Sequence, residues 1–265
     1  MRLGALIALI LIFAFPGTAV AAPAPPVTAR VAFLMDTTSG TVHYAKHATR
    51  RVPVASLTKV MTAYVIRREA RLDDVVKITA ADVRYAAANG ATVGGLRAGE
   101  RLTVRALLYA LLLNSGADAS HALAERYGPG THRFVAKMNA AARGLGLDDT
   151  NYVNPDGLPA RGAYSTGRDQ TTLARAAMRD PVIATIARTK SRTIAHHTFR
   201  NTNELLGKGV IGLKTGYTNA AGYCLSFVAV KYDHTYMGVV LGETTEARRY
   251  ASARTLLDYA IDQNR

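Results

Sequence analysis

The chain has 265 residues, 49% hydrophobic and 20% charged, enough apolar material for a full core and too much for a disordered or fibrous protein. Lys and Arg number 33 against 19 Asp and Glu, a formal charge of +14 spread along the chain. This suits an anionic envelope surface better than nucleic acid, for which no signature motif is present.

Residues 1–22, MRLGALIALILIFAFPGTAVAA, join a basic start, an apolar run broken at Pro16-Gly17, and small residues at Ala19 and Ala21. That is the pattern of a secretory signal peptide. The apolar run 3–15 is short for a membrane span, so cleavage near Ala21 or Ala22 is expected. The mature protein is then exported to the periplasm or extracytoplasmic envelope, without a stable membrane anchor. Residues 23–30 read as a Pro-rich linker.

From residue 31 to 265 the chain reads as a single catalytic domain. VAFLMD and TVHYAK predict two strands joined by a turn at Gly40. PVASLTKVMTAY opens a helix near Ser56, and TVRALLYALLL predicts a buried helix capped by Thr103. Ser115-Gly116 interrupt the pattern before ADASHALAERY, and THRFVAKMNAAARGLG predicts a helix capped by Thr131 and stopped near Gly144 or Gly146. NPDGLPARG is loop, and Thr166 with Asp169 resembles a capping box. Strands are predicted around Lys214, at 223–230 and at 235–241, with an amphipathic helix closing the chain. Early strands, a helical insertion at roughly 75–195 and late strands imply one antiparallel sheet built from both ends and flanked by helices. The single cysteine, Cys224, lies in the apolar run GYCLSFVAV and reads as a buried strand residue.

Ser56 and Lys59 stand three apart, so on a helix they share one face. A neutral lysine can take the proton of a neighbouring serine hydroxyl, and a helix N-terminus favours a developing oxyanion. Ser is equally a common helix cap and Lys a common surface residue, so the pair needs partners. Candidates are Ser115 and the run Lys214-Thr215-Gly216. No H-E-x-x-H, G-x-G-x-x-G or Walker loop occurs, and His196 and His197 are adjacent. Neither a metal nor another cofactor is therefore expected.

The three stretches S-x-x-K, Ser-Gly-Ala and Lys-Thr-Gly occur in the order and spacing of the penicillin-recognising serine enzymes. PVASLTKVMTAY, LLLNSGADAS, NPDGLPARGAYSTGRD, NTNELL and GLKTGYTNAAGYCL resemble low-molecular-mass penicillin-binding proteins of the D-alanyl-D-alanine carboxypeptidase type. The resemblance implies the α+β fold of serine β-lactamases and penicillin-binding transpeptidases, a sheet lobe and a helical lobe with the site between them. It implies a carboxypeptidase that trims the terminal D-alanine of peptidoglycan stem pentapeptides, contributes to cell-wall organisation and cell shape, and is acylated by β-lactams. By it Ser56 is the nucleophile, Lys59 its base, and Ser115 the relay to the leaving D-alanine. Lys214 stays charged, lowers the pKa of Lys59 by repulsion, and with Thr215 binds the substrate carboxylate. Backbone N–H groups of Ser56 and Tyr217 form the oxyanion hole, and Gly216 keeps the strand edge bare for the peptide. The family's middle motif usually ends in Asn where this chain has Ala117, so Ala117→Asn is expected to raise activity if the cleft has room. Asn201 and Asn203 read as turn formers or substrate contacts. The alternatives are a D,D-endopeptidase, a serine β-lactamase, for which E-x-x-L-N is missing, and a non-catalytic peptidoglycan-binding protein.

Overall fold

The computed structural model describes residues 23–264, so the signal peptide read at 1–22 lies outside the described residues. In chain order the elements are β1 (Val31–Asp36), β2 (Val42–Lys46), a 3₁₀ turn (Ala55–Leu57), α1 (Thr58–Glu69), β3 (Val75–Lys77), α2 (Ala80–Ala88), β4 (Arg101–Thr103), α3 (Val104–Leu112), α4 (Ala117–Tyr127) and α5 (Thr131–Gly144). They continue with α6 (Gly167–Met178), α7 (Pro181–Arg188), β5 (Ser191–Ile194), β6 (His197–Arg200), β7 (Val210–Thr218), β8 (Gly222–Lys231), β9 (His234–Glu243) and α8 (Glu246–Gln263). No helix among the described residues is long and apolar enough to cross a membrane.

The main sheet is antiparallel and runs β2-β1-β9-β8-β7. β1 reaches across the chain to β9, with Phe33 opposite Val239, and this pairing joins the two ends. Both faces of the sheet are covered, which is why its central strands read as nearly continuous apolar runs. On one face Tyr250, Leu256 and Leu257 of α8 pack on Leu34, Phe227 and Tyr236. On the other, Phe33, Val239 and Cys224 pack on Val54 and Leu57. Cys224 is therefore a core residue, and burial pushes its thiol up to about 11.

The helical lobe is centred on α1 and α3, whose residues Met61, Ile66, Leu107 and Leu108 join Phe134 and Met138 of the largest core. Thr103 caps α3 by accepting from the Ala106 N–H, as its position implies. Thr131 does not cap α5. Gly130, at φ +103°, takes that place, and the Thr131 hydroxyl bonds Glu125 instead. Thr166 accepts from Asp169 N–H, but the Asp169 carboxylate turns away to the Asp149 N–H and the Thr150 hydroxyl, so only half of the capping box forms. Helix α2 and the short hairpins β3-β4 and β5-β6 were not legible in the pattern.

Candidate active site

Ser56 does not begin α1 but sits in the 3₁₀ turn just before it, preceded by Ala55 at φ +50°. Such a backbone costs a non-glycine residue roughly 1–2 kcal/mol and persists only where neighbours hold it. Two glycines supply the hold. A Cβ at Gly157 would run into the Ala55 carbonyl and lie 2.9 Å from Thr58 Oγ1. A Cβ at Gly216 would lie 3.0 Å from Ser56 N and 3.1 Å from Val54 O. Gly216 is thus bare because the Ser56 turn packs on it, which adds a structural reason to the one read from sequence.

One turn on, Lys59 is 3% exposed and its Nζ lies 3.2 Å from Ser56 Oγ and 2.8 Å from the Asp156 carbonyl. The Asp156 segment is held in place from below, since Thr62 and Ser120 hydroxyls both donate to Pro155 O. Burial lowers the Lys59 pKa to about 8, against the Asp156 and Asp118 carboxylates, which pull it up. At that value a usable fraction of the amine is neutral near neutral pH.

Ser115 lies in the 113–116 link between α3 and α4 at φ +60°, and the hydrogen bonds of Lys59 go to Ser56 and Asp156 rather than to it. Gly116 must lack a Cβ because Gly94 and the Asp118 carboxylate press on it. That carboxylate accepts from Gly94, Leu96 and Ala119 N–H groups, which ties the 89–96 loop to the start of α4. Ala117 lies beneath the loop with no exposed surface, its N–H donating to Thr92 O. Ala117 is fully buried, so a longer Asn side chain has to displace the residues packed over it. Ala117→Asn is expected to destabilise the fold by about 1–3 kcal/mol through overpacking and not to raise acylation, checked by thermal melting beside penicillin labelling.

Lys214, Thr215, Gly216 and Tyr217 follow one another on β7, the edge strand nearest the Ser56 turn. Lys214 is 1% exposed, and its Nζ donates to Thr215 O at 3.1 Å. Burial first, then the Lys59 and Arg249 cations, hold its pKa well below the ordinary lysine range. Burial is the first cause of both lowered pKa values, and the repulsion between the two lysines is shared by the pair, with the Arg249 cation adding to it at Lys214. The Thr215 hydroxyl meets that of Thr202 at 2.6 Å. Tyr217 is 49% exposed and packs on Tyr223, ring centroids 4.3 Å apart. Asn201 and Asn203 form turns, bonding Ala187 O, Thr189 O and the N–H groups of Asn203 and Leu205.

Ser56, Lys59, Asp156, Gly157 and Tyr217 border a cavity of about 340 Å³, with residues 89–92 among the others that line it. Ser115, Lys214, Thr215 and Gly216 do not border it directly. Sequence reading missed Asp156, Asp118 and the clamping role of Gly157. The available signal is the turn-rich string NPDG, which reads as loop and as part of the family resemblance but points to no role for its individual residues.

This arrangement has relatives. The chain matches the family described as peptidase S11, D-alanyl-D-alanine carboxypeptidase, over residues 18–245. It is 37% identical over 278 residues to the D-alanyl-D-alanine carboxypeptidase of Streptomyces sp. (strain K15), covering 97% of this chain and 95% of that protein. The crystal structure of the Streptomyces K15 DD-transpeptidase superposes with a TM-score of 0.87 at 37% identity, over 91% of this chain and 100% of that one. A D-alanyl-D-alanine endopeptidase of Pseudomonas aeruginosa is 34% identical over 227 residues, 78% of this chain and 72% of that protein. With sequence and fold matched over nearly all of the chain, it belongs to the D-alanyl-D-alanine carboxypeptidase family, peptidase S11.

Proposed function

We propose that this chain is an exported serine D,D-carboxypeptidase that releases the terminal D-alanine of peptidoglycan stem pentapeptides through an acyl-enzyme on Ser56. The observation that carries the reading is the Lys59 amine 3.2 Å from Ser56 Oγ, with its pKa lowered to about 8. Ser56 Oγ attacks the carbonyl carbon of the penultimate D-alanine while its proton passes to Lys59. The peptide bond breaks, the proton reaches the leaving nitrogen by way of Ser115, and water then hydrolyses the ester. Backbone N–H groups of Ser56 and Tyr217 hold the oxyanion, each worth roughly 3–4 kcal/mol in such sites. Lys214 and Thr215 receive the terminal carboxylate, whose negative charge would raise the proton affinity of Lys214, so that binding and charging reinforce each other. β-Lactams acylate the same serine. The catalytic unit is residues 31–265.

D-Alanine release from a pentapeptide, with mass spectrometry locating the penicilloyl group on Ser56, supports the reading. Cleavage of a cross-linked dimer in preference to the pentapeptide would favour the endopeptidase activity that the Pseudomonas relative's name carries. Because Lys59 must be neutral to act, acylation is expected to fall about tenfold per pH unit below 8 and to level off above it. Stopped-flow acylation rates against pH check this.

A further inference from the structure

Asp156 presents two ends to the site. Its carbonyl oxygen accepts from Lys59 Nζ, and its Oδ1 accepts from Leu158 N–H at 2.9 Å. Its other carboxylate oxygen, Oδ2, is buried, and the group that faces the carboxylate is the Tyr85 hydroxyl. The residue is 1% exposed yet borders the cavity that holds Ser56 and Lys59.

Several segments near Lys59 bring charges or titratable groups. The 154–158 loop brings Asp156, and α4 brings Asp118, whose oxygens are already taken by three backbone N–H groups. From β7 comes Lys214, with Arg249 beyond it. From α2 comes Tyr85, which burial and the facing Asp156 charge keep protonated. Its ring stacks on His121, centroids 4.4 Å apart, and His121 in turn bonds Asp82. Of these, Asp156 is the carboxylate whose own backbone carbonyl grips the Lys59 amine.

We infer that Asp156 is a positioning residue for acylation: the buried carboxylate of the residue whose carbonyl holds the Lys59 amine tunes the readiness of that amine to take the serine proton and steadies the ammonium that results. The inference rests on reading Ser56 and Lys59 as nucleophile and base. Burial alone would leave Lys59 neutral and a poor acceptor. The carboxylate restores basicity without the exposure that would keep the amine charged.

Asp156→Asn keeps the size and the acceptor for Leu158 N–H while removing the charge. In the full chain, penicillin acylation measured against pH is expected to show its half-point lower by about one unit and its plateau reduced several-fold. A residue that merely shapes the loop would scale the whole curve without moving the half-point. If Asp156→Asn does not fold, Tyr85→Phe reports on the same charge from the other side, because loss of the facing hydroxyl leaves the carboxylate less neutralised and moves the half-point upward. A curve whose half-point coincides with wild type, in Asp156→Asn or in Tyr85→Phe as its substitute, overturns the inference. A wild-type penicilloyl group found away from Ser56 would instead remove the reading beneath it, so the two failures are distinguishable.

Discussion

Replacing Ser56 by alanine is expected to reduce covalent penicillin labelling by a factor on the order of 10⁴ or more, while the protein stays folded. The structure separates these two effects. Ser56 Oγ has one hydrogen bond, to Lys59, and Lys59 keeps the Asp156 carbonyl when it is lost. A bond of that kind is worth about 0.5–1.5 kcal/mol, so the melting temperature should fall by no more than about 6 °C. Labelling followed by gel fluorescence, with thermal melts on the same preparation, checks both. Wild-type labelling of the variant would remove Ser56 as nucleophile and make Ser115 the next serine to test.

Gly157→Ala is expected to reach the site without altering a single reacting group. At φ +83° an alanine is strained by roughly 1–2 kcal/mol, and its Cβ has no room against the Ala55 carbonyl. The overlap is relieved by moving the turn that carries Ser56 or the loop whose Asp156 carbonyl holds Lys59, and either shift disturbs the Ser56–Lys59 pair. A displacement of the nucleophile by about 1 Å commonly removes on the order of 10² in rate. Gly162 is the control, because it lies in the same loop at φ +84° and a Cβ there would meet nothing nearer than Asn151 Nδ2 at 3.9 Å. Gly162→Ala should show the conformational strain alone, a lower melting temperature with labelling intact. Gly157→Ala should lose both, and equal labelling rates in the two variants would show that the Gly157 contact does not hold the Ser56 turn.

The same contrast explains what the sequence disclosed. Strands β1, β7, β8 and β9, with α3 and α8, announced themselves because a buried strand or helix writes a long apolar pattern along its own residues. The strands at 75–77, 101–103 and 191–194 are too short for a period to show, and Gly130 replaced Thr131 as the cap of α5 because a glycine at φ +103° leaves no side-chain signature. At the site, Ser56 and Lys59 were legible since helical spacing alone makes them neighbours. The Asp156 contact to Lys59, 97 positions away along the chain, and the Asp118 hold on the 89–96 loop depend on tertiary packing, which no local window contains. The burial that lowers both lysines was hidden for a similar reason. Two lysines in sequence say that charges meet, whereas their depth and the nearby Arg249 cation come only with the fold.

The pairing of β1 with β9 also dictates an order of assembly. Until residues 234–243 have been synthesised, β1 and β2 have only each other, and an isolated two-stranded hairpin is marginal in water. The Ser56 turn has to wait as well, because the surface it rests on is Gly216 of β7, and the strand partner of β7 in the sheet is β8. Contacts between such distant segments make folding slow. A fluorescent penicillin is therefore a reporter of completed topology: nascent chains halted before β9 should remain dark however long they are incubated, and full-length chains should become labelled only as fast as the first and last strands find one another.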